Sequence, residues 1–263
     1  MNLRRVRRHW DALGKMDPLW SNLTFADKRG NRWQVEEFFL TGEQEIQEVM
    51  AFVASLGVEL KRGKALDFGC GVGRLSQALA ARFDAVWGID IAPSMIELAD
   101  RYNRHQETCR YVVNDRTDLR MFKDEIFDFI YSNIAFQHME PRHQKRYMGE
   151  LVRVLAPQGL FVFQLPSEPI PSTTDEATER GLKQRVKSVT PAVGLVAYRF
   201  ALAPYRWVRR ELVELGRGPR MEMWGLPREE VIAYIGKSGA KVLSVTPDTK
   251  ATGWRGFRYA VTK

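Results

Sequence analysis

The sequence has few of the residues that build a disulfide framework or a metal centre. It contains two cysteines, Cys70 and Cys109, and four histidines in 263 residues, and no group of His, Cys, Asp and Glu has the spacing of metal ligands. No run approaches the ~18 apolar residues of a membrane-spanning helix. The basic start of the chain is not followed by an apolar segment of signal-peptide length. We therefore expect a cytoplasmic protein without disulfides or a bound metal.

Positive charge is concentrated in two segments of the chain. The net charge is +8; residues 1–34 hold eight Lys/Arg against three Asp/Glu, and residues 177–220 hold ten against three. The rest of the chain is therefore slightly acidic. Basic segments of this kind are typical of solvated helix faces, and also of surfaces that attract an acidic substrate, nucleic acid or an anionic membrane surface. The sequence leaves these alternatives open.

Strand-length apolar runs alternate with helical patterns from residue 41 onward. Seven runs are predicted as strands: KALDFGC, AVWGIDI, CRYVVN, FDFIYSN, LFVFQLP, AKVLSVT and GFRYAVT. A capping-box pattern at Thr41 and Gln44 predicts a helix that begins there and ends near Gly57. The alternation predicts an α/β fold with a Rossmann-like, doubly wound, seven-stranded sheet that is mostly parallel. The last strand should run antiparallel, because the linker before it is too short for a parallel crossover.

The loop after the first predicted strand, in LDFGCGVGRLS, has three alternating glycines. Asp-Phe-Gly ends the first strand here, with no lysine-bearing strand or His-Arg-Asp loop before it, which excludes a protein kinase. A dinucleotide site would fit Asp90, nineteen residues after Gly71. Counted from Gly69, however, that motif meets Arg74 where it needs a small residue, and counted from Gly71 it ends at Ser76, which is a weaker match. Asp67 would also repel a pyrophosphate. It would instead attract a ligand that carries an ammonium group.

Five segments, in the expected order, resemble the motifs of the class I S-adenosylmethionine-dependent methyltransferases, in particular their broad small-molecule branch. They are LDFGCGVGRLS, VWGIDIAPSMIELA, YVVNDRTDL, FDFIYSNIAFQHM and ELVRVLAPQGLFVF. The resemblance covers about residues 41–166 and 225–263. It implies that the cofactor is S-adenosyl-L-methionine and that the product is S-adenosyl-L-homocysteine.

The resemblance also implies which residues bind the cofactor. Gly69 and Gly71 would let the backbone approach it, and Gly73 would let the next helix pack closely. Asp90 would accept hydrogen bonds from both ribose hydroxyls, and Met95 would pack near the adenine. Asp115 is expected to accept from the adenine amino group, and the backbone of Arg116 is expected to meet the adenine ring. The other expected cofactor contacts are Asp67, Cys70, Ile91, Asn114, Asn133 and His138. Cys70 is expected to pack in the loop and not to act as a nucleophile, because no base is positioned beside it.

His138 is the candidate general base. Methyl transfer mainly needs an acceptor lone pair aligned with an already activated methyl group, but a hydroxyl acceptor also benefits from a base. His138 follows the fourth predicted strand, near the sheet edge where ligands bind, and an ordinary pKa near ~6.5 would let it accept a proton at neutral pH. The alternative is that His138 only forms a wall of the cofactor pocket.

Segments outside the core are expected to select the substrate. We predict a helical extension or lid over residues 1–40, the methyltransferase core over 41–166 and 225–263, and a helical cap insertion for substrate over 167–224. The cap is expected to contact the acceptor through aromatic and basic side chains, which suit stacking on a ring and pairing with an acid or phosphate. These are Tyr198, Tyr205, Arg206 and Trp207.

The expected function is transfer of a methyl group to a hydroxyl oxygen of a small molecule, sugar or glycan, with an acidic acceptor among the options. An RNA methyltransferase is the main alternative, because aromatic residues lie among arginines. Against it, no RNA-binding module is recognisable, and Ser-Asn-Ile-Ala stands where many base-amine methyltransferases have Asn-Pro-Pro-Tyr. A lipid methyltransferase in peripheral contact with the membrane and a non-catalytic cofactor-binding protein remain further alternatives.

Overall fold

The computed structural model describes residues 3–170, 218–248 and 253–263. Apart from residue 170 and residues 218–220, they belong to one compact unit made of Met1–Pro169 and Met221–Lys263. Its strands are β1 (Lys64–Phe68), β2 (Ala85–Asp90), β3 (Cys109–Val113), β4 (Phe127–Ser132), β5 (Leu155–Pro169), β6 (Lys241–Asp248) and β7 (Trp254–Thr262). Its helices are α1 (Leu3–Met16), α2 (Pro18–Asn22), α3 (Val35–Ser55), α4 (Arg74–Ala80), α5 (Pro93–Tyr102), α6 (Pro141–Val154) and α7 (Arg228–Lys237).

The seven strands form one sheet in the order β3-β2-β1-β4-β5-β7-β6. Strands β1 to β5 pair in parallel, and β7 lies antiparallel between β5 and β6. The predicted Rossmann-like sheet with an antiparallel last strand is therefore confirmed. The strand order reverses between β1 and β4, so the carboxyl ends of these strands border the crevice in which open α/β sheets bind ligands.

The two faces of the sheet are each covered by helices. Leu66 and Phe161 pack with Leu151 of α6 in one cluster of fully buried side chains. Their strand neighbours Ala65 and Val162 belong, with Ile46 of α3, to a second cluster on the opposite face. The alternation follows from the strand geometry, in which successive side chains point to opposite faces. Buried on both sides, the central strands form a rigid base for the loops at their ends.

The predicted start of the helix before β1 is wrong. Helix α3 begins at Val35, not at Thr41, and runs to Ser55. Thr41 lies inside the helix, where its hydroxyl donates a hydrogen bond of 2.6 Å to the carbonyl oxygen of Phe38. Phe38 is fully buried, so the apolar face of the helix continues past the capping-box pattern and overrides it. The helix therefore crosses the predicted boundary between the extension and the core.

Helix α1 docks on the start of α5. The backbone N–H of Ser94 donates to the carboxylate of Asp11 at 3.0 Å, and the Ser94 hydroxyl donates to the Asp11 carbonyl oxygen at 2.9 Å. The first residues of α5 receive no side-chain cap from their own preceding residue, Ala92. Asp11 thus satisfies a helix N-terminus from a distant part of the chain. This contact holds α1 over the sheet edge at which β2 ends.

Within the described residues, no helix combines the length with the apolar character that crossing a membrane requires.

Candidate functional site

A cavity lies at the carboxyl ends of β1, β2, β3 and β4. Its floor is formed by the loops after these strands, including Gly69, Gly71, Asp90, Asn114 and Asn133. Its roof comes from the N-terminal helices and is largely apolar: Leu3, Val6 and Trp10 of α1 line it together with Ser21 and Asn22 of α2. Ile91, Met95, His138, Met139 and Tyr147 also line the cavity. It thus combines a polar floor with an apolar roof.

The glycine loop after β1 leaves no room for side chains at two of its positions. Gly69 has φ +79°, and a Cβ there would lie 2.3 Å from the Cβ of Ala135. Gly71 has φ +53°, and a Cβ there would lie 1.6 Å from the side-chain oxygen of Asn22. Both positions therefore need glycine for the backbone conformation and for the close approach of neighbouring segments. The loop exposes bare backbone to the cavity.

Asp90 is held at the end of β2 by the backbone of two loops. One carboxylate oxygen accepts from the N–H of Gly71 at 3.0 Å, and the other accepts from the N–H of Ala92 at 2.9 Å. Burial raises the pKa of Asp90, and the hydrogen bonds from Ala92 and Gly71 oppose that rise. A carboxylate has about four acceptor sites, so Asp90 keeps acceptor capacity beyond its backbone donors Gly71, Ala92 and Ile91. Asp90 is therefore a fixed acceptor in the middle of the cavity floor.

The segment after β3 divides between the cavity and the surface. Asn114 is buried and lines the cavity, and its side-chain amide donates to the carbonyl oxygen of Asp118 at 3.2 Å. Asp115 and Arg116 are exposed and do not line it. The carboxylate of Asp115 instead forms an ion pair of 2.8 Å with Arg7 of α1. The predicted contact of Asp115 with an adenine would have to replace or share this ion pair.

Asp67 and Cys70 lie behind the glycine loop and not at the cavity wall. Asp67 is 1% exposed, and one of its carboxylate oxygens accepts from the Ser76 hydroxyl at 2.6 Å. Burial raises the pKa of Asp67 to about 7. The Cys70 thiol is also buried, and burial raises its pKa, as expected of a packing residue rather than a nucleophile.

His138 is buried at the cavity wall, where its ring meets Trp10 edge-on with centroids 4.8 Å apart. Its Nδ1 lies 2.8 Å from the carbonyl oxygen of Glu222. Because a carbonyl only accepts, Nδ1 carries the proton and Nε2 keeps its lone pair, which faces the side-chain amide nitrogen of Gln137 at 3.2 Å. Burial lowers the pKa of His138 to about 4, although the hydrogen bond to Glu222 raises it slightly. The imidazole is therefore neutral at physiological pH and a weak proton acceptor.

The lowered pKa of His138 predicts an acid-dependent loss of stability. In the unfolded chain its pKa is near 6.5, against about 4 in the fold, so between these values the unfolded state binds the extra proton. Stability should fall as pH drops from about 6.5 toward 4, by about 2 kcal/mol at about pH 5. His138→Asn is uncharged and can still donate to Glu222. The free energy of unfolding is measured in urea at about pH 7.5 and about pH 5. Between these two pH values it should fall by about 2 kcal/mol more for the wild-type protein than for His138→Asn. Equal losses would contradict the assignment.

Several cavity residues are not predicted from the sequence. Leu3, Val6 and Asn22 come from helices far from the glycine loop in the chain, and Tyr147 comes from the middle of α6. The available sequence signal for the roof is that residues 1–40 are rich in aromatic side chains, among them Trp10. The predicted substrate residues Tyr198, Tyr205, Arg206 and Trp207 lie outside the described residues. In the ranges that the structure describes, no cluster of His, Cys, Asp and Glu could hold a metal ion.

Residues 66–163 match a protein-family model described as a methyltransferase domain. The match begins in β1 and ends in β5, so it contains the glycine loop, Asp90, Asn114, Asn133 and His138. It does not extend to α1 or α3.

Curated relatives match part of the chain and not the whole of it. The chain is 28% identical over 154 residues to the 2-methyl-6-phytyl-1,4-hydroquinone methyltransferase of a Synechocystis strain, covering 58% of this chain and 47% of that protein. It is 31% identical over 132 residues to the demethylmenaquinone methyltransferase of Clavibacter sepedonicus, covering 49% and 50%. A malonyl-[acyl-carrier protein] O-methyltransferase of Methylococcus capsulatus is 31% identical, covering 63% and 60%. The chain thus spans about half the length of the first two relatives.

Solved structures agree with the fold over a longer stretch. Magnesium protoporphyrin IX methyltransferase from Synechocystis, solved with bound S-adenosylhomocysteine, matches with a TM-score of 0.59 at 14% identity, covering 100% of both chains. A methyltransferase from Leishmania major matches with a TM-score of 0.61 at 12% identity, covering 99% of this chain and 82% of that one. At these identities the likeness concerns the fold.

Proposed function

We propose that the chain is a class I S-adenosylmethionine-dependent methyltransferase and that it transfers the methyl group of S-adenosylmethionine to a phenolic hydroxyl oxygen of a ring-bearing small molecule. The observation that carries this proposal is the cavity itself, because one continuous space has a polar floor on the strand ends and an apolar roof from α1.

The polar floor fits the cofactor. Asp90 offers free lone pairs at the centre of the floor, which suit the two hydroxyls of a ribose. Asn114 follows β3 and suits the adenine, while the glycine loop and Asn133 follow β1 and β4 on the other side of Asp90 and suit the amino-acid tail. In the described residues the side-chain oxygen of Asn133 is buried without a hydrogen-bond partner. Such an orphaned acceptor is expected where a ligand supplies the donor.

The apolar roof favours an acceptor with a flat or aliphatic body. Leu3, Val6, Trp10 and Met139 line this part of the cavity. Arg5 and Arg7 on the same helix are engaged in ion pairs with Glu222 and Asp115, both at 2.8 Å. These pairs make the two guanidinium groups less available to a nucleic-acid backbone, and this supports a small acceptor over RNA. Two of the relatives named above carry a hydroquinone or a menaquinone in their names.

The weak basicity of His138 favours a hydroxyl that ionises readily. The cofactor, when bound, supplies an activated methyl group, so the protein mainly has to align the acceptor oxygen with it and exclude water. Nε2 of His138 already faces the side-chain amide nitrogen of Gln137 at 3.2 Å, and an imidazole with a pKa of about 4 is a poor base. A phenolic hydroxyl, with an ordinary pKa near ~10 as in tyrosine, loses its proton far more easily than a sugar hydroxyl. The acceptor class follows from this difference.

The proposal is tested with purified protein and methyl-labelled S-adenosylmethionine. The acceptors are a panel of hydroquinones, simple phenols, sugars, phospholipid vesicles and total RNA, offered separately. We expect label in the phenol and hydroquinone arms, with the methyl group on oxygen as located by NMR of the product. Label confined to sugar, lipid or RNA would contradict the acceptor class. A methyl group on ring carbon would contradict oxygen transfer, and failure to bind S-adenosylhomocysteine would contradict the proposed function altogether.

A further inference from the structure

A buried network of polar side chains reaches the cavity from behind. Glu45 of α3 is 9% exposed and forms an ion pair of 2.9 Å between its Oε2 and Arg74, which is itself 5% exposed. Its other oxygen, Oε1, accepts from the hydroxyl of Tyr131 at 2.8 Å and from the side-chain nitrogen of Asn133 at 2.5 Å. Arg74 also donates to the hydroxyl of Thr41 at 3.3 Å. The start of α4 and the end of β4 thus meet at one carboxylate of α3.

The carboxylate decides which way the Asn133 amide points. Glu45 Oε1 is an acceptor, so the group of Asn133 that faces it must be the donor, Nδ2. The side-chain oxygen of Asn133 is then turned the other way, and Asn133 lines the cavity. That oxygen is buried and has no hydrogen-bond partner in the part of the chain that the structure describes. The network therefore holds an unpaired acceptor on a residue of the cavity wall.

The position of this acceptor identifies the ligand group that it meets. Along the sheet edge, Asn114 follows β3, Asp90 ends β2, the glycine loop follows β1, and Asn133 follows β4. A ligand whose ribose lies at Asp90 and whose base lies toward β3 extends its other end past the glycine loop to Asn133. In S-adenosylmethionine that end is an amino acid, whose ammonium group is a donor only.

We propose that Glu45 is a positioning residue for the cofactor: it holds the Asn133 side chain so that its oxygen accepts a hydrogen bond from the ammonium group of the cofactor's amino-acid tail. This inference rests on the proposed function. It assigns a role in ligand binding to α3, which lies outside the matched methyltransferase domain of residues 66–163. Arg74 and Tyr131 fix Glu45 in turn.

Replacing Glu45 by glutamine should reverse the Asn133 amide. Glutamine has one side-chain oxygen. The guanidinium group of Arg74 can only donate hydrogen bonds and is charged, so we expect it to bind that oxygen. The glutamine NH₂ group then faces Asn133, so Asn133 turns its oxygen toward position 45 and its NH₂ group toward the cavity. A donor now meets the ammonium group, and the tail loses its hydrogen bond.

The test compares two ligands that differ in the tail. S-adenosylhomocysteine contains the amino acid, whereas methylthioadenosine has the same nucleoside and a thioether without it. By calorimetry, we expect Glu45→Gln to weaken S-adenosylhomocysteine binding by about tenfold or more and methylthioadenosine binding by less than about twofold. Asn133→Ala should show the same selective loss, and the double variant should lose little more than either single one. Glu150→Gln is the matched control, because Glu150 pairs with Arg153 at 2.9 Å and does not line the cavity.

Each outcome supports or overturns the inference. Equal weakening of both ligands would mean that Glu45 only supports the fold, and unchanged binding of both would mean that Asn133 does not meet the tail. If Glu45→Gln fails to fold, as judged by circular dichroism, Asn133→Ala and Tyr131→Phe decide: neither removes a charge, and both should weaken S-adenosylhomocysteine selectively. A wild-type protein that binds neither ligand refutes the proposed function itself. If the wild-type protein binds both ligands and Glu45→Gln shows no selective loss of S-adenosylhomocysteine, only the role of Glu45 is refuted.

Discussion

Replacing Asp90 by alanine is expected to weaken binding of S-adenosylhomocysteine by about 100-fold or more. The variant removes the acceptor for two ribose hydroxyls, which as charge-assisted hydrogen bonds contribute about 3 kcal/mol together. It also leaves the N–H groups of Gly71 and Ala92 without their present acceptor, and these hydrogen bonds hold the glycine loop against the end of β2. The loss therefore combines a missing contact with a loosened loop.

Calorimetry with two ligands separates Asp90 from the tail-binding residues. Because the ribose is common to both ligands, Asp90→Ala should weaken methylthioadenosine as strongly as S-adenosylhomocysteine. Asp84→Ala is the matched control, since Asp84 is an exposed carboxylate just before the opposite end of the same strand. An affinity within about threefold of wild type in Asp90→Ala would contradict the ribose assignment. Tight binding of NAD in place of S-adenosylhomocysteine would contradict the family.

The cavity floor could be predicted from the sequence because each of its residues stands next to a recognisable strand. Asp90 ends the run AVWGID and Asn133 follows FDFIYS, and parallel strands bring their carboxyl ends to one sheet edge. The direction of a side chain is a different matter. Asp67 also stands near a strand end, but it points toward Ser76 behind the loop. Only the pleat of β1 and the position of α4 decide this, and neither is visible in the motif.

The remaining contacts depend on long separations along the chain. Glu45 reaches Asn133 across 88 positions, and His138 meets Glu222 across 84. Thr41 and Gln44 gave a false helix start, because a local capping pattern competes with the burial of Phe38, which only the folded core determines. Sequence patterns therefore predict the helices and strands and the residues at the strand ends. Which side chains hydrogen-bond to one another across long sequence separations depends on tertiary packing.

The roof of the cavity gives the second large expected effect. Trp10 lies on α1, lines the cavity and packs edge-on against His138. Helix α1 is fixed in place by the contacts of Asp11 with Ser94 and by the ion pair of Arg7 with Asp115. The roof is thus a fixed apolar surface above the proposed acceptor position. Removing its largest side chain should affect the acceptor more than the cofactor, whose ribose site at Asp90 lies on the floor.

Trp10→Ala is accordingly expected to lower kcat/KM for the phenolic acceptor by about 30-fold to 150-fold. Loss of an indole from an apolar wall costs about 2 to 3 kcal/mol of contact with a bound ring, and that free energy appears in kcat/KM. Affinity for S-adenosylhomocysteine should stay within about threefold, and Trp10→Phe should retain most of the activity because a ring still fills the roof. Met16→Ala serves as the control, since Met16 lies on the same helix and is 60% exposed.

If Trp10→Ala transfers the label as fast as wild type, α1 does not contact the acceptor. If it loses cofactor affinity as steeply as kcat/KM, the roof belongs to the cofactor site and the acceptor must enter from another side.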